Sequence, residues 1–155
     1  MGCKASPVTE LPDVCGVWRL QSYLLKNLAT GQNTDVFGPN PNGVLILLPE
    51  GRMAGIVTPS EQAPPFTEAE RAEAFSKLIA YSGRYRLEPP NRFVTSVDVS
   101  WYQPWLEGEQ ARSFAIDGDT LEIISDPTTT PLTGDALVVG VLSWAREPNA
   151  GDIPS

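Results

Sequence analysis

The stretch Cys15-Gly16-Val17-Trp18-Arg19-Leu20-Gln21-Ser22-Tyr23 decides the fold. A glycine, a spacer and a tryptophan open a run that alternates in the manner of a half-buried strand. A period of two puts Trp18, Leu20, Ser22 and Leu24 on one face, and Arg19, Gln21 and Tyr23 on the other. A tryptophan at the start of a first strand needs a large apolar floor, and its indole N–H needs an acceptor once buried. The far end of the chain offers a cover in Trp144-Ala145-Arg146, because a guanidinium stacks well on an indole face. First and last strands meeting over one tryptophan is how a sheet closes on itself into a barrel.

The rest of the chain supplies the strands for such a closure. Alternating or continuously apolar runs predict strands at residues 14–26, 43–48, 52–57, 80–87, 92–101, 110–116, 120–125 and 135–145. Pro49-Glu50-Gly51, Pro89-Pro90-Asn91 and Asp117-Gly118-Asp119 are the turns between neighbours. One helix is expected from Thr67, with Glu70 three residues on as in a capping box, and Ala72, Phe75, Leu78 and Ile79 at helical spacing. Packing of that helix on one barrel end is expected with it. Residues 1–13 read as a flexible arm, 14–146 as the domain and 147–155 as a flexible tail. The expected fold is all-β: an eight-stranded antiparallel up-and-down barrel with one short helix, which encloses room for one small ligand. A β-sandwich is the alternative.

Composition narrows the function classes. At 155 residues the chain suits one domain. A net charge of −8 with no basic cluster argues against nucleic acid, whose binding rests on phosphate neutralisation by Lys and Arg. The sequence has no His, which removes the usual general base and the commonest metal ligand, so no metal and no cofactor is expected. The two cysteines, Cys3 and Cys15, read as reduced thiols of a cytoplasmic protein. Met1-Gly2-Cys3-Lys4-Ala5-Ser6 fits an acylation pattern, so membrane contact through Gly2 and Cys3 is one alternative to a plain arm. Oligomeric state is left open.

Taken together, Gly16-x-Trp18-x-Leu20-x-Ser22, Gly43-x-Leu45, Pro49-x-Gly51-Arg52-Met53, Tyr81-x-Gly83-x-Tyr85, Pro104-Trp105, Gln110-x-Arg112 and Trp144-x-Arg146 resemble the small stand-alone lipocalin-like domains of bacteria and fungi, related to the calycins. The resemblance runs from about Gly16 to Arg146. It implies an eight-stranded barrel with a hydrophobic ligand cavity. Several barrels of this general kind serve natural-product pathways as cyclases or isomerases. The family often carries His where this chain has Thr95-Ser96, so a His-based role is lost here.

Alternation gives candidate residues independently. Tyr81, Gly83 and Tyr85 share one strand face. Thr95, Val97, Val99 and Trp101 share another, and Gln110, Arg112 and Phe114 a third. Facing inward, they make a mostly apolar site with a few polar groups, the usual composition of a small-molecule pocket. Arg112, Tyr81 and Tyr85 are the catalytic candidates, as donors to a carbonyl or enolate oxygen. Thr95, Val97, Trp101, Trp105, Gln110, Phe114 and Phe37 are the ligand-binding candidates, with Phe37 in a lid. A guanidinium inside a barrel is costly unless paired, so Arg112 should meet an acidic side chain, or an anionic or carbonyl-bearing ligand. The expected function is binding of a small hydrophobic metabolite, with cofactor-free cyclisation or isomerisation in secondary metabolism. A non-catalytic carrier, or a membrane-tethered interaction module, is the alternative.

Overall fold

The computed structural model describes residues 11–129 and 135–148. Its strands are β1 (Gly16–Asn27), β2 (Asn33–Thr34), β3 (Asn42–Leu47), β4 (Arg52–Thr58), β5 (Ile79–Glu88), β6 (Arg92–Ser100), β7 (Glu109–Asp117), β8 (Thr120–Ser125) and β9 (Val138–Arg146), with one helix, α1 (Glu68–Ser76). Every neighbouring pair is antiparallel, and β1 pairs with both β3 and β9, so eight strands close into a barrel. The two-residue β2 only adds to the upper edge of β1, opposite Leu25 and Lys26.

Closure happens where the sequence places it. Trp18 pairs with Arg146, whose guanidinium carbon lies 4.3 Å from the indole centroid. The Trp18 Nε1–H donates to the Val14 carbonyl at 3.0 Å, and Arg146 Nη1 donates to the Cys15 carbonyl at 2.6 Å. Val14, Leu47, Met53, Leu121 and Trp144 are buried in the same core. The tight turns β3–β4, β5–β6 and β7–β8 all lie at this end, which is therefore the closed one. The long connections at residues 28–41, 59–78 and 101–108, with the described parts 126–129 and 135–137 of the one between β8 and β9, lie at the opposite end and form the mouth.

Two register shifts correct the simple alternation. A bulge between Leu20 and Ser22 in β1 turns the parity over, so that Tyr23 and Leu25 follow Trp18 and Leu20 into the interior. Another, between Ser82 and Gly83 against β6, places Val99 62% exposed and pairs Ser100 with Tyr81. Val99 is thus not on the inner face with Thr95 and Val97. Trp101 lies beyond the strand, on the mouth connection.

The helix also differs from expectation. Its capping box is present, with the Thr67 hydroxyl accepting from Glu70 N–H and the Glu70 carboxylate accepting from Thr67 N–H. None of its residues is buried, Phe75 is half exposed, and Ile79 belongs to β5. With three glutamates and one arginine in nine residues, no apolar stripe is wide enough to dock.

Cys15 is disulfide-bonded rather than a reduced thiol. A cytoplasmic location loses the support it drew from reduced cysteines. Gly2 and Cys3, with most of the expected arm and tail, lie outside the described residues. The described start of the tail is tied down, since Glu147 N–H donates to the Val17 carbonyl at 2.8 Å. Among the described residues no helix is long and apolar enough to cross a membrane.

Candidate functional site

The mouth half of the lumen gathers most of the candidate polar groups. Inward parity on β7 carries Gln110, Arg112, Phe114 and Ile116, because Gln110 pairs with the buried Thr95, Arg112 with Phe93, and Phe114 with Ile123. Arg112 is partly buried. Its Nη2 donates to Gln110 Oε1 at 2.8 Å and its Nη1 to the Ala111 carbonyl at 3.0 Å. Both acceptors are neutral. Among the described residues no carboxylate lies within ion-pair distance of it.

Trp105 sits in the 101–108 connection, which reverses at Glu107 with a φ of 65° before Gly108. That turn lays the indole across the rim. The Arg112 guanidinium carbon is 6.0 Å from its centroid, at the outer limit of a cation–π contact. Tyr81 meets the same indole edge-on at 5.0 Å, and Trp101 meets it at 5.0 Å from another side. Trp101 is held there by its own N–H, which donates to the Ala80 carbonyl at 2.9 Å.

Tyr23 completes the group, and only the β1 bulge puts it there. Burial raises the Tyr23 and Tyr81 phenols above their ordinary value, while the nearby positive charge of Arg112 pulls both back. Both are therefore neutral donors near pH 7. Neither hydroxyl has a hydrogen-bond partner among the described residues. The Thr95 hydroxyl is fully buried without a partner, as is the Trp144 indole N–H in the core toward the closed end. Buried polar groups ordinarily find partners, so the orphan Thr95 hydroxyl, on the strand paired with Gln110, has a donor to spare on the inner face.

Phe37 stands between this group and the outside. It is 4% exposed, belongs to the core, and packs edge-on against Tyr23 at 5.1 Å. Ser60 N–H donates to the Phe37 carbonyl at 2.9 Å, and Gly38 follows at φ 87°, where a side chain would collide with Ser60 Oγ. Outside the ring lies an open groove of about 490 Å³ lined by Val36, Phe37, Pro39, Asn42, Pro59 and Lys77, among others. Phe37 is thus the wall shared by the groove and the lumen.

The other candidates divide. Val97 and Phe114 are buried apolar wall. Tyr85 is not with Arg112. It stacks on Phe93 at 5.3 Å, its hydroxyl donates to the Leu48 carbonyl at 2.8 Å and touches Cys15 Sγ at 3.3 Å, and its electrostatic neighbours are Asp13 and Glu50. It belongs to the closed end, with its proton engaged. Asp98 points outward to Arg52 at 2.7 Å, and that bond holds its carboxyl below the usual range. Glu109 is held likewise by Arg86 outside the barrel. Among the described residues no Asp or Glu faces the lumen, and no group of His, Cys, Asp and Glu could hold a metal ion.

A protein-family model described as a lipocalin-like domain matches residues 15–147 of the chain. None of the curated proteins matches it.

Proposed function

Because the chain belongs to the lipocalin-like domain family, we propose that its barrel takes up one small hydrophobic molecule through the mouth, with an oxygen atom of that molecule held at Arg112. The observation that carries this reading is a partly buried guanidinium on the inner face whose hydrogen bonds all go to neutral acceptors, near two phenols that lack partners among the described residues. Phe37, the Trp101–Trp105 pair and the buried Val97 are the apolar surroundings that such a molecule would displace or touch.

The same arrangement supports cofactor-free cyclisation or isomerisation in natural-product metabolism. Positioning a flexible molecule in one folded conformer is worth about 7–11 kcal/mol in well-oriented reactions. Arg112 and Tyr81 donating to one carbonyl would stabilise enolate character as it develops. With no inward-facing carboxylate, the reactions that fit are those needing polarisation without an internal base. The pathway setting rests on the family resemblance.

Protein isolated gently from its own cells should carry one small molecule in native mass spectrometry. Protein that carries none, and that also fails to bind the neutral dye N-phenyl-1-naphthylamine, contradicts uptake. For the catalytic part, the unrearranged precursor of that molecule should rearrange faster with protein than in buffer. Equal rates and equal stereochemistry leave a carrier without catalysis.

A further inference from the structure

Arg112 allows the class of molecule to be narrowed. Its guanidinium has five N–H donors, and the two protein acceptors it meets, Gln110 Oε1 and the Ala111 carbonyl, carry no charge. Neutral acceptors satisfy hydrogen bonds but do not compensate a cation withdrawn from water. Tyr81 and Arg112 meet the same Trp105 ring, the charge of Arg112 reaches the Tyr23 and Tyr81 phenols, and neither hydroxyl has a partner among the described residues. The Thr95 hydroxyl, on the strand paired with Gln110, is buried without one. The site is therefore one-sided: its inner face carries donors and a positive charge, and the carboxylate that acts on Arg112 from a distance, Asp126, is exposed and paired with Arg92. A ketone or alcohol would fill one or two of these donors and leave the charge as it was. A carboxylate offers two oxygens with about four lone-pair sites, matches the guanidinium fork, and supplies the missing charge.

We infer that the molecule taken into the lumen is an organic acid, an apolar chain or ring system ending in a carboxylate, with the carboxylate held by Arg112 and the hydroxyls of Tyr23 and Tyr81. This rests on the proposed uptake of a hydrophobic molecule and adds its charge and orientation. The apolar body then lies toward Phe37 and Trp105 at the mouth. The protein as a whole carries −8, so its long-range field opposes an anion, and the preference has to be local to this site.

The test compares decanoate with decan-1-ol, each displacing N-phenyl-1-naphthylamine from the full chain at pH 7.5. Decanoate should bind about tenfold or more tightly than the alcohol, as expected for charge-assisted hydrogen bonds in a partly buried site. Its advantage should fade as pH is lowered through the ordinary carboxylate range. Arg112→Met should remove the preference, weakening decanoate far more than decan-1-ol, and Tyr81→Phe should reduce it. Because Arg112→Met changes packing as well as charge, Tyr23→Phe serves as a second variant that deletes one oxygen only, and it too should reduce the preference. Equal affinity for acid and alcohol in the parent, or a preference that survives Arg112→Met, overturns the inference while leaving uptake in place. If neither dye, alcohol nor acid binds, the uptake reading itself fails.

Discussion

Trp18→Ala removes the side chain on which barrel closure turns. Trp18 is 0% exposed and touches both termini of the domain, through the Val14 carbonyl on one side and Arg146 on the other. Truncating a buried aromatic to alanine costs about 3–5 kcal/mol when the surroundings cannot collapse. Collapse is resisted here by Leu47, Met53 and Leu121, all buried on other strands of the closed ring. Within that range, about 1 kcal/mol belongs to the orphaned Val14 carbonyl. A further 0.5–1 kcal/mol, roughly, belongs to the lost cation–π contact, although Arg146 keeps its bonds to Cys15 and Asp119. For a domain of this size the loss corresponds to a Tm lower by about 6–20 °C. Urea unfolding followed by far-UV circular dichroism is the assay, because it does not depend on the fluorophore removed. A loss below about 1.5 kcal/mol with an unchanged m-value would refute the closed end described here.

Other perturbations report on other parts of the barrel. A methyl group at Gly83 would run into the Ser96 carbonyl and the Val97 backbone, so Gly83→Ala should cost at least about 2 kcal/mol in the same urea assay. Phe37→Ala should join groove and lumen and raise the stopped-flow association rate of N-phenyl-1-naphthylamine, with a loss of about 2–4 kcal/mol in stability. Burial holds the Tyr23 and Tyr81 phenols above their ordinary value of 10.0, so the folded chain keeps protons that the unfolded chain releases. Stability should then fall as pH rises past about 10, and phenolate absorbance of Tyr23 and Tyr81 should lag behind a free phenol. Arg112→Met should delay it further, because the charge that favours ionisation is gone.

Much of this architecture was legible in the residues, and the departures have local causes. The pairing of Trp18 with Arg146 and the inward parity of Gln110 and Arg112 follow from strict alternation, and the strands concerned run without interruption there. Alternation fails at a bulge, since one extra residue moves everything after it to the opposite face. For that reason strict alternation points Tyr23 outward and Val99 inward, and the bulges reverse both. A run such as Gln21-Ser22, two small or polar residues in mid-strand, is the one weak sign of the first bulge in the sequence. Tyr85 shares the parity of Tyr81 but lies four residues further toward the closed end, and periodicity carries no information about depth along a barrel. The helix illustrates a different limit: a capping box fixes where a helix starts and says nothing about whether it docks.

The proposed binding mode puts a hydrophobic molecule in the mouth half of the lumen beside Arg112 and leaves the closed end untouched. The four indole N–H groups, of Trp18, Trp101, Trp105 and Trp144, are built-in reporters along the barrel. In a 1H–15N NMR titration with N-phenyl-1-naphthylamine, the Trp105 indole signal should shift saturably to a one-to-one end point while that of Trp18 stays in place. Saturable movement of Trp18 without Trp105, or the absence of any saturable indole shift, would contradict it.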